Sequence, residues 1–315
     1  MKKNDSNIKK AIKYLNNNEC IAIPTETVYG LAGNAYSDKA VSRVYKLKKR
    51  PRSNPLIAHY YSINSLKKDC EIDNTFIKLY KKFCPGPISF VLKLKKKSRV
   101  SRFITNNSNS VAVRFPSHPL TRKLLKKINY PLAAPSANIS TSISPVSKQD
   151  VVDEFGPKLK FILDGGTSKI GLESTIINLI GKPHILRLGG INSKLIYKII
   201  NPLENKNKNK KKIKIKVPGT SKLHYSPGIP VRLNAKKNYQ NEAYILIKKR
   251  KKLDKNYFYI SKTSNLKQAA KNLYKTLRII KKKGYKKIAI EKIPNINIGE
   301  AINDRILRAS KKWKI

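Results

Sequence analysis

Residues 206–216 hold seven lysines, and residues 217–230 add three prolines and two glycines (KNKNKKKIKIKVPGTSKLHYSPGIP). A run of like charges repels itself, and proline and glycine interrupt helix and strand, so this stretch reads as an extended linker. That single feature divides the chain. Residues 1–200 and 230–315 must each close a core of their own, with 201–229 between them, as a length of 315 residues also suggests.

The first segment mixes two kinds of connection. Ser6 reads as the cap of a helix with Ile8, Ala11, Ile12 and Leu15 on one face, and IAI (21–23) as a short strand ended by Pro24. Asp38 reads as the cap of a second helix through Tyr45, followed by a PLIAHYY strand and helical segments near 62–69 and 74–83. PISFVLKL and SVAVRF read as strands, PLTRKLLKKI as an amphipathic helix, YPLAAPSAN as a strand broken at Pro135, and SKQDVVDEF as a short helix. FILDGG reads as strand and turn, and STIINLI with HILRL as a hairpin across GKP. Strands that alternate with helices but are also joined directly predict an α/β (α+β-like) fold, a twisted mixed sheet with flanking helices rather than a strict βαβ repeat. Beyond residue 230, AYILI, YFYIS, the helix LKQAAKNLYKTLRIIKKKG, KKIAIEKI and GEAINDRILRASKKW predict a small Rossmann-like α/β domain.

Composition narrows the function without fixing it. Sixty-nine Lys+Arg against eighteen Asp+Glu give a net charge of +51, which attracts polyanions and predicts weak, salt-sensitive RNA binding. Lys, Asn and Ile are abundant throughout and share A/T-rich codons, so codon bias accounts for much of the excess. Cys20, Cys70 and Cys84 form neither a metal spacing nor a disulfide framework, and no apolar run is long enough for a membrane span. The expectation is a cytoplasmic protein with no membrane association. Neither phosphate-loop, dinucleotide, zinc-protease nor serine-hydrolase motifs occur, and the four histidines are scattered.

Polar groups at strand ends remain: Thr25, Glu26, Thr27 and Tyr29 in PTETVYG; Lys48, Arg50 and Asn54 in LKKRPRSNPLIAH; Arg114 after the apolar VAV; Ala134, Ser136 and Asn138 in APSAN; Ser174 and Thr175 in GLESTIIN; and Arg187 in ILRLGG. Each also has a purely structural reading, as a turn hydroxyl, a helix-end cation or a snorkelling stem. Together they set cations and hydroxyls along the edge of one sheet, where open α/β layers take small anionic ligands.

These runs, in order over residues about 20–190, carry a family resemblance: PTETVYGL, KxRPxxNPLI with a following His, CPGP, VAVRFP, APSANxS and GxxSTIxN with RxG. The chain resembles the YrdC/Sua5 family, and HYSPG and GxAINDRILRAS are similar to its longer form with a C-terminal domain. The resemblance implies a YrdC-like sheet and a nucleotidyltransferase that joins L-threonine, bicarbonate and ATP into threonylcarbamoyl-AMP and pyrophosphate. That product would pass to the tRNA threonylcarbamoyl-transfer machinery for the t6A modification beside the anticodon. It implies L-threonine near Thr27, His59, Arg114, Ala134 and Ser174, and ATP near Arg50, Asn54, Ser110, Ser136, Asn138, Ser144, Arg187 and Tyr225. Lys48 and Arg50 would be catalytic, Mg²⁺ would arrive with ATP, and no metal site of the protein's own is expected. Two other readings compete: a basic RNA-binding protein without catalysis, and a hydrogenase-maturation carbamoyl transferase, whose cysteine pairs this chain lacks.

Overall fold

A computed structural model describes residues 2–200, 224–251 and 254–310. The lysine-rich part of the expected linker, 201–223, lies outside the described residues. In chain order the first segment runs α1 (Lys2–Asn16), β1 (Ile21–Ile23), β2 (Gly30–Asn34), α2 (Asp38–Lys48), β3 (Ile57–His59), α3 (Ile63–Leu66), α4 (Asn74–Phe83), β4 (Ile88–Lys93), α5 (Arg102–Thr105), β5 (Ser110–Arg114), α6 (Pro119–Lys127), β6 (Leu132–Ala133), α7 (Lys148–Phe155), β7 (Thr175–Asn178), β8 (His184–Arg187) and α8 (Ser193–Ile200).

The eight strands form one sheet in the order β1-β2-β6-β3-β5-β4-β7-β8. Only β3/β5 and β4/β7 pair in parallel; the other neighbours are antiparallel. The mixture follows from the connections, because a short link returns antiparallel and only a crossover returns parallel. The main core lies against one face and is built from Val44, Leu56, Phe76, Phe90, Val113 and Phe115 among others. A small apolar set, Ile57, Val91, Ala112 and Ile176, occupies a separate cluster. Ile57 and His59 alternate with Ala58, so they share a face, as do Ala112 and Arg114.

Several local expectations shift. Helix α1 begins before Ser6, which sits inside it, and α2 is capped by the Ser37 hydroxyl, which accepts from the Ala40 N–H at 3.2 Å, not by Asp38. FILDGG makes only an isolated bridge, Ile162 to Ala22. Strand β2 and the helices α5 and α8 have no counterpart in the sequence reading; β2 carries two glycines, which lack the side chains that mark strands.

The second segment adds β9 (Val231–Arg232), β10 (Glu242–Leu246), β11 (Tyr257–Tyr259), α9 (Leu266–Lys282), β12 (Lys287–Ile290) and α10 (Ile298–Ser310). Its sheet, β11-β10-β12-β9, is wholly parallel. Its core is not private. Val28, Ile143, Val146 and Leu172 of the first segment pack in the same cluster as Leu273, Tyr274 and Ile302. Gly171, at φ +79, lets α9 approach: a Cβ there would stand 2.6 Å from the Lys271 Cα. Among the described residues, no helix is long and apolar enough to cross a membrane.

Candidate active site

The parallel register of β3 on β5 sets His59 beside Arg114, and the antiparallel register of β4 on β5 sets Ser89 beside Arg114 from the other side. Ser174 immediately precedes β7, and its hydroxyl lies 2.8 Å from that of Ser89. These strand ends open into one cavity of about 490 Å³, open solvent included. Its wall takes in Thr25, Arg50, His59, Arg114, Ala134, Ser136, Glu173, Ser174, Arg187, His224 and Tyr225.

Arg50 owes its position to the end of α2. Lys49 adopts a left-handed conformation, φ 49°, which turns the chain sharply out of the helix. Asn54 and Pro55 then hold the guanidinium: Nε donates to the Asn54 carbonyl at 3.0 Å, and Nη2 donates to Asn54 Oδ1 at 2.5 Å and to the Pro55 carbonyl at 3.0 Å. Burial lowers Arg50 to about 10, so it remains a cation at neutral pH. Arg187 is held by Ser174, whose carbonyl accepts from Nε at 3.1 Å and from Nη2 at 2.8 Å.

Arg114 is fixed by PTETVYG. Its Nη2 donates to Glu26 Oε1 at 2.7 Å and to Thr27 Oγ1 at 2.8 Å, and Glu26 also accepts from the Ser117 N–H. A buried carboxylate thus anchors a buried cation, with the remaining donors turned elsewhere. Arg114 Nε, both ring nitrogens of His59 and the Tyr225 hydroxyl are buried with no hydrogen-bond partner. Unpaired buried polar atoms are costly and scarce in folded proteins. Four of them, on three residues that line one cavity, mark the place of a polar ligand. Burial, reinforced by the Arg114 charge, holds His59 well below the usual histidine range, so it meets that ligand as a neutral imidazole.

The HYSPG run closes the cavity from outside the first sheet. The Ser226 N–H donates to the Thr141 carbonyl at 2.9 Å, Tyr225 stacks on Tyr274 at 6.0 Å, and the Arg305 guanidinium lies 4.9 Å over the Tyr225 ring. His224 Nδ1 accepts the Tyr225 N–H at 3.0 Å, and burial pushes its pKa down to about 3.

Of the residues singled out from the sequence, Arg50, His59, Arg114, Ala134, Ser136, Ser174, Arg187 and Tyr225 lie on the cavity wall. Thr27, Asn54 and Ser144 stand one contact behind it, bonded to Arg114, Arg50 and Glu173 respectively. Lys48 also stands behind the wall. Its ammonium is buried and donates to the Ser136 and Asn138 carbonyls at 2.6 and 2.5 Å, so it braces the APSAN turn. Burial and the Arg50 charge pull Lys48 well below the ordinary lysine range. The Asn138 amide donates to the Ile139 and Ser142 carbonyls and shapes the same turn. Ser110 is not in the wall. It begins β5 four residues before Arg114, about 13 Å away at strand spacing, and hydrogen-bonds Ser108. Glu173 and His224 were not foreseen, and Glu26 was seen without its partner. A carboxylate inside an apolar run of a chain with only eighteen acidic residues was the available signal.

The fold and cavity define a class: a mixed-sheet α/β protein with a cation- and hydroxyl-lined pocket for small polar substrates. The chain belongs to the Sua5/YciO/YrdC family, whose model, described as telomere recombination, matches residues 13–189. Residues 191–311 match the domain described as threonylcarbamoyl-AMP synthase, C-terminal domain. The threonylcarbamoyl-AMP synthase of Pyrococcus abyssi is 35% identical over 96% of this chain and 94% of its own length. That of Bacillus subtilis is 32% identical over 98% and 94%. The crystal structure of P. abyssi Sua5 complexed with L-threonine superposes with a TM-score of 0.85 at 34% identity, covering 96% of this chain and 94% of that one.

Proposed function

We infer that the chain is a threonylcarbamoyl-AMP synthase that joins L-threonine, bicarbonate and ATP, releasing pyrophosphate. The observation that carries this reading is the set of unpartnered buried donors and acceptors around one cavity: His59, Arg114 Nε and Tyr225. An amino acid supplies a carboxylate for Arg114, an amine and a hydroxyl in a small volume, and the relatives of near full-length coverage are named for this reaction. In the reading, the threonine carboxylate lies against Arg114, with Thr27 and Glu26 fixing the fork from behind. ATP lies toward Arg50, Arg187, Ser136 and Tyr225.

The threonine amine nitrogen bonds the bicarbonate carbon with loss of water. A carbamate oxygen then bonds the α-phosphorus, the bond to the bridging oxygen breaks, and pyrophosphate leaves with that electron pair. No side chain becomes covalently attached. Arg50 and Arg187 contribute fixed positive charge where phosphate charge gathers, and Lys48 contributes by holding the Ser136–Asn138 turn. Mg²⁺ fits as an ion carried by the triphosphate, where it neutralises charge. The nearest carboxylates, Glu26 and Glu173, are engaged by Arg114 and Arg305, and no group of acids, histidines or cysteines suited to a metal occurs among the described residues. Transfer of the product to tRNA-modifying partners completes the proposal.

The test is to incubate the protein with ATP, threonine and bicarbonate and follow pyrophosphate. Release that requires both threonine and bicarbonate is expected. Release indifferent to threonine, or none beside measurable RNA binding, overturns the reading.

A further inference from the structure

A cavity meant for a triphosphate should not present a carboxylate, yet Glu173 lies on its wall. Glu173 is buried, and three groups hold it. Ser144 Oγ donates to Oε1 at 2.6 Å, the Tyr274 hydroxyl lies 3.1 and 3.0 Å from the two oxygens, and Arg305 Nε donates to Oε2 at 2.7 Å. Ser144 belongs to the first segment; Tyr274 and Arg305 come from α9 and α10 of the second. Arg305 is completely buried, and its Nη2 donates to the Leu188 carbonyl at 2.7 Å, one residue beyond Arg187. The same guanidinium covers the Tyr225 ring.

We propose that Arg305 is a positioning residue for the nucleotide site: by pairing with Glu173 it cancels the one carboxylate charge that the described residues place on the nucleotide side of the cavity wall, and it fixes the Tyr225 and Arg187 edges around it. The C-terminal domain thereby sets the electrostatics of a cavity built mostly from the first segment. Without Arg305, the Glu173 charge would be free to draw on Arg187 and to repel incoming phosphate oxygens. On the threonine side, Arg114 is held by Glu26 and Thr27 and makes no hydrogen bond to Glu173 or Arg305 among the described residues; the two sides meet at Ser174, whose carbonyl and hydroxyl accept from Arg187. The inference rests on the placement of ATP proposed above.

The test compares full-length wild type with Arg305→Met, Arg305→Lys and the double variant Arg305→Met/Glu173→Gln. Calorimetry reads the affinity for a non-hydrolysable ATP analogue and for threonine, and thermal unfolding reports folding. Arg305→Met should weaken the analogue roughly tenfold to a hundredfold while threonine affinity stays within about twofold. Arg305→Lys, which keeps the charge, and the double variant, which removes both charges, should each recover most of the nucleotide affinity. Equal loss for both ligands, or a double variant no better than Arg305→Met when both are folded, overturns the proposal. Should Arg305→Met not fold, the Lys and double variants decide it: nucleotide affinity tenfold or more below wild type in both overturns it, and near-wild-type affinity supports it. Because binding is read without turnover, a wild type that binds the analogue but releases no pyrophosphate sinks the proposed reaction and leaves this comparison decisive. A wild type that binds no nucleotide sinks both.

Discussion

Arg114 shows how one residue's role is decided by the bonds behind it. Its Nη2 is held by Glu26 and Thr27, and its Nε is buried without a partner. A hydrogen bond to a charged group contributes about 1.5–3 kcal/mol, so Thr27→Val should weaken threonine binding about tenfold and leave nucleotide binding nearly unchanged, as calorimetry would show. Unchanged threonine affinity would mean that Glu26 alone orients the fork. Protonation acts at the same scale. His224 is buried as a neutral imidazole with its pKa pushed from 6.5 to about 3, chiefly by burial. The unfolded chain takes up that proton near pH 6.5 and the folded one does not, so stability is full above pH 6.5 and falls as pH drops toward 3. The share lost by pH 5 is about 2 kcal/mol. Glu173 acts in the same direction lower down. Burial raises its carboxyl, Arg305 and Arg187 outweigh that and hold it at about 2, and stability present above pH 4.5 is lost below it. Urea unfolding at pH 7 and 5 should show the drop, and His224→Asn should shrink it by about 2 kcal/mol; an unaltered drop would count against a neutral His224.

At the scale of elements, the site depends on how closely β8 can leave the sheet. A Cβ on Gly189 would stand 2.3 Å from the Thr175 N and 2.4 Å from the Glu173 carbonyl, both backbone atoms that cannot swing aside. Gly189→Ala should therefore cost on the order of 2–4 kcal/mol and displace Ser174 and Arg187, with loss of both stability and pyrophosphate release. A variant as stable and active as wild type would show that the β7–β8 exit gives way easily. Elements with strong periodicity were legible: α4 is Asn74–Phe83, as its pattern predicts, and β7 and β8 pair as the expected hairpin. Strand β2 was not. Its glycines give no pattern, and it is a strand because β1 and β6 pair with it on both sides.

Over the whole molecule, 69 basic residues against 18 acidic ones leave a surface that no internal pairing can neutralise. Affinity for unrelated RNA should fall tenfold or more between 50 and 200 mM salt, while threonine affinity, set by buried groups, changes little. RNA binding that persists at the higher salt would instead point to a shaped RNA site. The two segments are joined by more than the chain: Arg278 of α9 pairs with Glu154 and Lys282 with Asp153 at 3.0 and 2.6 Å, around the shared apolar cluster. The composition break near residue 206 gave no hint of this, because a linker's sequence records its own solvation and not what its two ends pack against.

Read by itself, the sequence determined the strongly periodic helices, the mixed character of the sheet and the short polar runs from which the cavity is lined, since periodicity and side-chain chemistry are local properties. Which of those polar groups line the cavity was decided only in three dimensions. Lys48 turned to backbone carbonyls, Ser110 was carried to the far end of β5, and Glu173 was drawn into the wall by an arginine 132 residues further along the chain. The physical reason is that a buried charge must find its partner wherever the fold brings one, and spacing along the chain carries no record of that choice.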